Sequence, residues 1–283
     1  MIHQTSSGSV YLTEPEVRVI AATRMVDSAF DDIGEFIDGL GVDPTEYVSD
    51  LGGGDKGLET VPKFAGQLCY LSFEPGKFTR TVDAERYFGN LMRQGHGSVL
   101  EHSSVTVLLS GIDRTVSHEL VRHRAGMAYS QVSQRYVSGR SLRFVERLEF
   151  QRSADLHEAF EARIDAAVRE YNQVTRRLLT LQREGYGPLQ SAAATDQRKH
   201  VQQVARAVLP NDTEAPILVT GNLRAWRHVI EMRASEHADT AIRRPFVAVW
   251  RELVKIAPRV MGDFEERMGD DGLVCLVPRH RRV

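Results

Sequence analysis

The chain has 283 residues, 42% of them apolar and 26% charged, a balance that excludes a disordered or fibrous protein and is enough to bury a core. Its net charge of −2 excludes a general electrostatic pull toward nucleic acid or an anionic membrane, so an anion site has to be local. Two cysteines, Cys69 and Cys275, without CxxC spacing, argue against a disulfide framework, and no stretch reaches the roughly 18 apolar residues of a membrane span. The N-terminus has no basic head before an apolar run, so a cytoplasmic protein with no membrane partner is expected.

In chain order, Val17 to Ala22 is a β-like run. The acidic amphipathic stretch after it ends in Gly41-Val42-Asp43-Pro44 and Gly52-Gly53-Gly54, which predicts a linker or flexible loop. Residues 1–57 are thus expected as an N-terminal strand and variable extension belonging to the same domain as 58–283. Helices are predicted from about Thr60 to Tyr70 and from Asp83 to Arg93, then a turn at Gly95-His96-Gly97-Ser98 and a strand over Val105 to Leu109. The clearest helix is Asp155 to Glu184, where Leu156, Phe160, Ile164, Ala167, Tyr171, Val174, Leu178 and Leu181 recur at threes and fours before Gly185. A further helical tract runs from about Gln197 to Leu209-Pro210, a strand covers Ile217 to Thr220, and helices follow over Leu223 to Arg233 and Phe246 to Val260. This order is mixed α and β, helix-rich and without βαβ repetition, and no GxGxxG or GxxxxGK[ST] argues for a doubly wound nucleotide fold.

The chemistry concentrates at Glu119-Leu120-Val121-Arg122-His123-Arg124 and at Tyr129-Ser130-Gln131-Val132-Ser133-Gln134-Arg135-Tyr136. If Thr115 to Arg124 is helical, Glu119, Arg122 and His123 share a face, and if a strand follows, Ser133 and Arg135 share one too. Such a group grips a phosphate and a planar ring together, because a guanidinium bonds phosphate oxygens in pairs and stacks on heterocycles. A solvated helix end with surface ion pairs is the plainer alternative. His118 and His123 resemble the metal-binding HExxH pair but are five residues apart, about 140° around a helix, so no metal site is expected.

Arg122-His123-Arg124 followed by Ser133-Gln134-Arg135-Tyr136 resembles the signature of flavin-dependent thymidylate synthases. Four more blocks follow the family's order: Gly95 to His102, Ala205 to Pro210, Gly221 to His228 and Met232 to Asp239. The resemblance implies an α+β fold, helices around a central, mostly antiparallel sheet, assembled as a homotetramer with active sites between subunits. It implies FAD as cofactor, NADPH and methylenetetrahydrofolate as co-substrates, and methylation of C5 of a uracil nucleotide. By position, His96, Ser98, Arg122, His123, Arg124, Gln131, Asn222, Arg224 and His228 match residues at the flavin. Glu119, Arg122, Gln131, Ser133, Arg135, Arg206 and Arg233 match residues that hold the nucleotide. Singly, each has a plain alternative, Asn222 as a helix cap or Arg206 as a partner of an acid. In the family an arginine at the position of Arg233 polarises the pyrimidine, which makes it the expected catalytic residue. Neither cysteine has a neighbouring base that would make it a thiolate for adding to the ring, and both are read as structural.

The chain departs from the family where Ala125-Gly126-Met127-Ala128 separate Arg124 from Tyr129, one residue longer than usual and without the usual serine. That leaves the sugar open between deoxyribose and ribose, so UMP, giving 5-methyl-UMP, stands beside dUMP as a candidate substrate. A binder of nucleotides or RNA that stacks bases on Tyr129 and Tyr136 is the competing class, although no DNA or RNA partner is expected. A methyltransferase using S-adenosylmethionine lacks its glycine-rich loop.

Overall fold

The computed structural model describes residues 1–52, 57–74, 83–135, 142–281 and 283. Gly53, Gly54 and Tyr136, singled out in the sequence, lie outside the described residues. The described strands are β1 (Ile2–Gln4), β2 (Val10–Leu12), β3 (Glu16–Ala22), β4 (Ser104–Ser110), β5 (Met127–Gln131), β6 (Arg143–Val145), β7 (Ile217–Asn222), β8 (Phe264–Met268) and β9 (Val274–Pro278). They form sheets in the orders β1-β2-β6, β3-β4-β7-β5 and β8-β9. Pairing is antiparallel in β1–β2 and β8–β9 and parallel in β2–β6. With the helices below, this is the expected helix-rich α+β class. The chain forms two compact units, one of Met1–Glu16, Leu109–Arg122 and Tyr129–Leu218, the other of Val17–Leu108, His123–Ala128 and Val219–Val283.

The first unit is built on one long helix. α5 (Arg114–Leu120) is capped by Asp113, whose carboxylate accepts from the Val116 backbone N–H at 2.9 Å. It stops at Leu120, not at Arg124 as expected, so Arg122 and His123 do not share a helical face with Glu119. After α6 (Leu148–Gln151), α7 runs over Ala154–Arg183 without a glycine or proline, and Gly185 ends it in the left-handed conformation at φ 83°. Its stripe is buried at Phe160, Ile164, Ala167 and Tyr171 but Leu156 is exposed, so the middle of the helix is core and its start is not. Phe160, Ile164 and Ala167 pack on Tyr11 of β2 and Phe144 of β6. Polar ties add to this: Tyr11 Oη donates to Glu161 at 3.0 Å, Thr5 Oγ1 donates to Asp165 at 2.7 Å, and His157 Nδ1 lies 2.6 Å from Glu146. α8 (Ala194–Ala205) passes into a 3-10 turn over Arg206–Val208.

The second unit holds the remaining helices. α1 (Ala29–Asp38) and α2 (Thr45–Gly52) occupy the stretch expected as a linker or loop. Ile33, Ile37, Tyr47 and Leu51 bury against Met25 and Phe73, which is what orders them. α3 (Thr60–Leu68) and α4 (Ala84–Gln94) match expectation, the latter capped by Asp83. Gly97–His102 is a 3-10 turn. α9 (Leu223–Arg233) has the expected bounds and buries Trp226, Val229 and Ile230. α10 (Thr240–Ile256) begins six residues before the expected Phe246, capped by Asp239 and carrying Pro245 inside, and α11 (Pro258–Met261) follows. Arg227 of α9, 3% exposed, donates from its two Nη atoms to the two oxygens of Asp263 and from Nη2 to the His280 carbonyl at 3.0 Å, which pins the β8–β9 hairpin to the helix.

Candidate active site

The second unit contains eight of the residues matched to the family site: His96, Ser98, His123, Arg124, Asn222, Arg224, His228 and Arg233. α9 arranges four of them. Asn222 caps it, its Oδ1 accepting from the Ala225 backbone N–H at 2.8 Å, because a short amide at this position satisfies one of the orphan donors of the first turn. Arg224 in that turn pairs with Glu101 at 2.6 Å across half-exposed side chains, and Arg233 lies in the last turn. The nine-residue spacing therefore points the two arginines in different directions, as helical geometry requires.

Arg233 Nε donates to His123 Nε2 at 2.8 Å, and the His123 and His228 rings meet edge to face with centroids 5.5 Å apart. Burial pushes the His123 imidazole down to a pKa of about 4, and the Arg233 guanidinium and His228 add to the shift. His123 is therefore neutral at neutral pH, with Nε2 an acceptor and the proton on Nδ1. His96, Ser98, Arg124 and His228 are exposed. An exposed guanidinium, two imidazoles and a hydroxyl, with the half-exposed Arg224, form a donor set suited to a dinucleotide carrying a pyrophosphate, so the residues present fit FAD.

Between His123 and Tyr129 the chain bends at Gly126, with φ 68°, and a Cβ there would lie 2.5 Å from Asn222 Nδ2. The Asn222 backbone N–H donates to the Gly126 carbonyl at 3.1 Å. In return, a Cβ on Gly221 would overlap Met127 Sδ and lie 3.0 Å from Trp226 Nε1. Gly126 was not among the expected site residues, although it lies in the Ala125 to Ala128 stretch expected to be longer than in the family.

The other predicted residues, Glu119, Arg122, Gln131, Ser133, Arg135 and Arg206, belong to the first unit. β5 ends at Gln131, so Ser133 and Arg135 do not alternate along a strand; they sit in a turn where the Arg135 backbone N–H donates to Ser133 Oγ at 3.3 Å. Arg135 Nε donates to Gln203 at 3.2 Å, one helical turn before Arg206. The structure adds two residues to this group, Arg114 and Gln134, joined by a 2.9 Å hydrogen bond from Arg114 Nη1 to Gln134 Oε1, while Gln134 Nε2 is buried without a partner among the described residues. Gln134 stood inside the recognised motif, and Arg114 carried no sequence signal beyond being the first residue of a capped helix. Among the described residues no cluster of three histidine, cysteine or acidic side chains is placed to hold a metal, and no helix is long and apolar enough to cross a membrane.

Comparison with known proteins gives the same direction. The family described as Thymidylate synthase complementing protein matches residues 54–259. The flavin-dependent thymidylate synthase of Mycobacterium sp. (strain JLS) is 44% identical over 210 residues, 74% of this chain and 81% of that protein. The enzyme of the same name from Mycobacterium tuberculosis (strain ATCC 25177 / H37Ra) is 41% identical over 232 residues, 80% of this chain and 86% of that protein. In fold, the chain is similar to the UMP/dUMP methylase PolB from Streptomyces cacaoi bound with 5-Br dUMP, with a TM-score of 0.57 and 18% identity over 89% of this chain and 95% of that one. With relatives this similar aligned along most of both sequences, the chain belongs to the flavin-dependent thymidylate synthase family.

Proposed function

We propose that the protein is an enzyme that methylates C5 of a uracil nucleotide, taking dUMP to dTMP with FAD as cofactor and with methylenetetrahydrofolate and NADPH as co-substrates. The observation that supports this most directly is the pairing of Arg233 with a neutral His123, beside exposed donors suited to a flavin dinucleotide. Bound FAD supplies the reducing equivalents that bring the transferred one-carbon unit to a methyl group. Arg233 holds a fixed positive charge toward N3 of the pyrimidine and its flanking carbonyl, which favours the negative charge developing there and makes C5 more nucleophilic. His96, Ser98, His123, Arg124, Asn222, Arg224 and His228, with Arg122 and Gln131, hold the flavin. Glu119, Arg122, Gln131, Ser133, Arg135 and Arg206 hold the nucleotide. Neither cysteine offers a thiolate for ring addition: burial pushes the Cys275 thiol up, and Cys69 donates its S–H to the Ala65 carbonyl at 3.3 Å.

The altered loop from Ala125 to Ala128 supports a wider choice of sugar, and UMP is the second substrate to try. A cytoplasmic homotetramer with active sites between subunits and no nucleic-acid partner completes the proposal. Residues 1–57 belong in it to the same domain as 58–283, since both compact units draw on both stretches. The test is purification followed by assay. A yellow protein bleached by NADPH that transfers a methyl group to dUMP, UMP or both is the expected result. A colourless protein that FAD cannot tint, inactive on either nucleotide, overturns it.

A further inference from the structure

One short piece of chain follows α9 from its last turn back to its cap. His123 meets His228 and Arg233; three residues on, Gly126 lies against Asn222 and Ala225; and Met127 fills the space that a side chain on Gly221 would need. The contacts interlock. Gly126 makes room for the Asn222 amide, Gly221 makes room for the Met127 thioether, and a backbone hydrogen bond from Asn222 to the Gly126 carbonyl joins the two turns. This is the segment in which the chain carries its extra residue.

We propose that His123 is a positioning residue for Arg233, orienting its guanidinium through the Nε–H···Nε2 hydrogen bond, with the Gly126–Asn222 interlock holding His123 in register against α9. An arginine side chain has several rotatable torsions, and a charge that has to meet one edge of a pyrimidine acts best when they are fixed beforehand. Anchoring Nε sets the plane of the guanidinium. The anchor works only while Nε2 is an acceptor, and the groups facing His123 from α9, Arg233 and His228, are cations or potential cations that favour the neutral ring. The histidine and the arginine thus hold each other in the forms the site needs.

This rests on the reading of Arg233 as the residue that polarises the pyrimidine, and two measurements separate its failure from failure of that reading. In the full chain labelled with 15N-histidine and without added flavin, His123 is expected as the Nδ1–H tautomer from pH 8 to about pH 5, and Arg233→Ala is expected to raise its titration midpoint by about one unit or more. A His123 that titrates near the ordinary histidine value in the unsubstituted protein, or a midpoint unmoved by Arg233→Ala, overturns the proposal. With enzyme saturated in FAD, His123→Ala is expected to lower kcat by roughly 10-fold to 100-fold while the nucleotide KM changes little, with partial recovery in His123→Gln, which keeps an acceptor. Gly126→Ala, which touches neither partner, is expected to shift the His123 resonances and to lower kcat in the same sense. A rise in KM at unchanged kcat in His123→Ala overturns the proposal. If the unsubstituted enzyme transfers no methyl group, the proposed function falls, and the histidine spectrum still decides whether the pairing exists.

Discussion

Arg233 sits in the last turn of α9, where backbone carbonyls lack helical donors and the helix dipole favours a cation, so its charge is accommodated before any substrate arrives. Arg233→Ala is expected to cut methyl transfer by roughly 100-fold while FAD still binds, since a preorganised charge aimed at developing negative charge contributes several kcal/mol to the transition state. Turnover within a few-fold of the unsubstituted enzyme would remove Arg233 from the mechanism. A second residue-scale expectation concerns stability. The Glu146 carboxylate is buried and lies 2.6 Å from His157 Nδ1, and this hydrogen bond is the largest influence holding the His157 pKa above its ordinary value. A raised folded pKa means that the contribution is fully present below the unfolded value of about 6.5 and is lost as pH rises through the folded one. His157→Ala should therefore lower Tm more at pH 6 than at pH 9, by the equivalent of about 1 kcal/mol for a partly exposed imidazole. Equal losses at the two pH values would show that the pair carries no net charge interaction. The positions of His123 and Arg233 were legible in the sequence through the family motif. Their pairing was not, because 110 residues separate them and only the fold brings them together.

At the scale of elements, α3 and α4 show how close a packing contact can be. A Cβ on Gly66 would overlap the Tyr87 hydroxyl, which donates to the Pro62 carbonyl at 3.2 Å. Gly66→Ala should destabilise the protein by about 1–3 kcal/mol through overpacking, despite the better helix propensity of alanine. In a Tyr87→Phe background the cost should be smaller, since the atom met first is gone; denaturant midpoints of the two pairs check this. The long helices were legible because α7 and α9 bury one face at a regular period. α1 and α2 were misread because their acidic, glycine-containing sequence resembles a loop until Tyr47 and Phe73 cover Ile33 and Ile37. The strands β1, β2 and β6 are three residues each, too short for alternation to register. The β8–β9 hairpin escaped notice because β8 is held by ion pairs, Glu265 with Arg267 and Arg279 and Glu266 with Arg251, as much as by an apolar face. Pro245 hid the start of α10, since proline normally breaks a helix interior, and here Asp239 supplies the cap instead.

For the molecule as a whole, the buried Arg227 is the polar centre of the second unit. Its guanidinium bonds Asp263 and two carbonyls and stands 4.9 Å over the Phe264 ring. Arg227→Ala should cost about 3–5 kcal/mol, because Asp263 and the carbonyls lose a buried partner together. Soluble, flavin-binding protein with an unchanged Tm after this substitution would show that the hairpin is held by its apolar side alone.

The order in which the chain visits the two units also bears on how it is made. The first unit needs residues from Met1 and from as far on as Leu218, and the second needs Val219 to Val283 in addition to its earlier pieces. During synthesis at roughly 5–20 residues per second, the first unit has all its residues only once position 218 has emerged, and α9, with the charge at its end, is exposed only after that. Completion of both units thus waits for late, long-range contacts, the kind that slow folding. The apolar strips of α1 and α7 do not wait that long: Met25, Tyr47, Leu51 and Phe73 cover α1, and Tyr11 and Phe144 cover α7, so the nascent chain can bury both before Val219 and the charge-bearing helix behind it emerge.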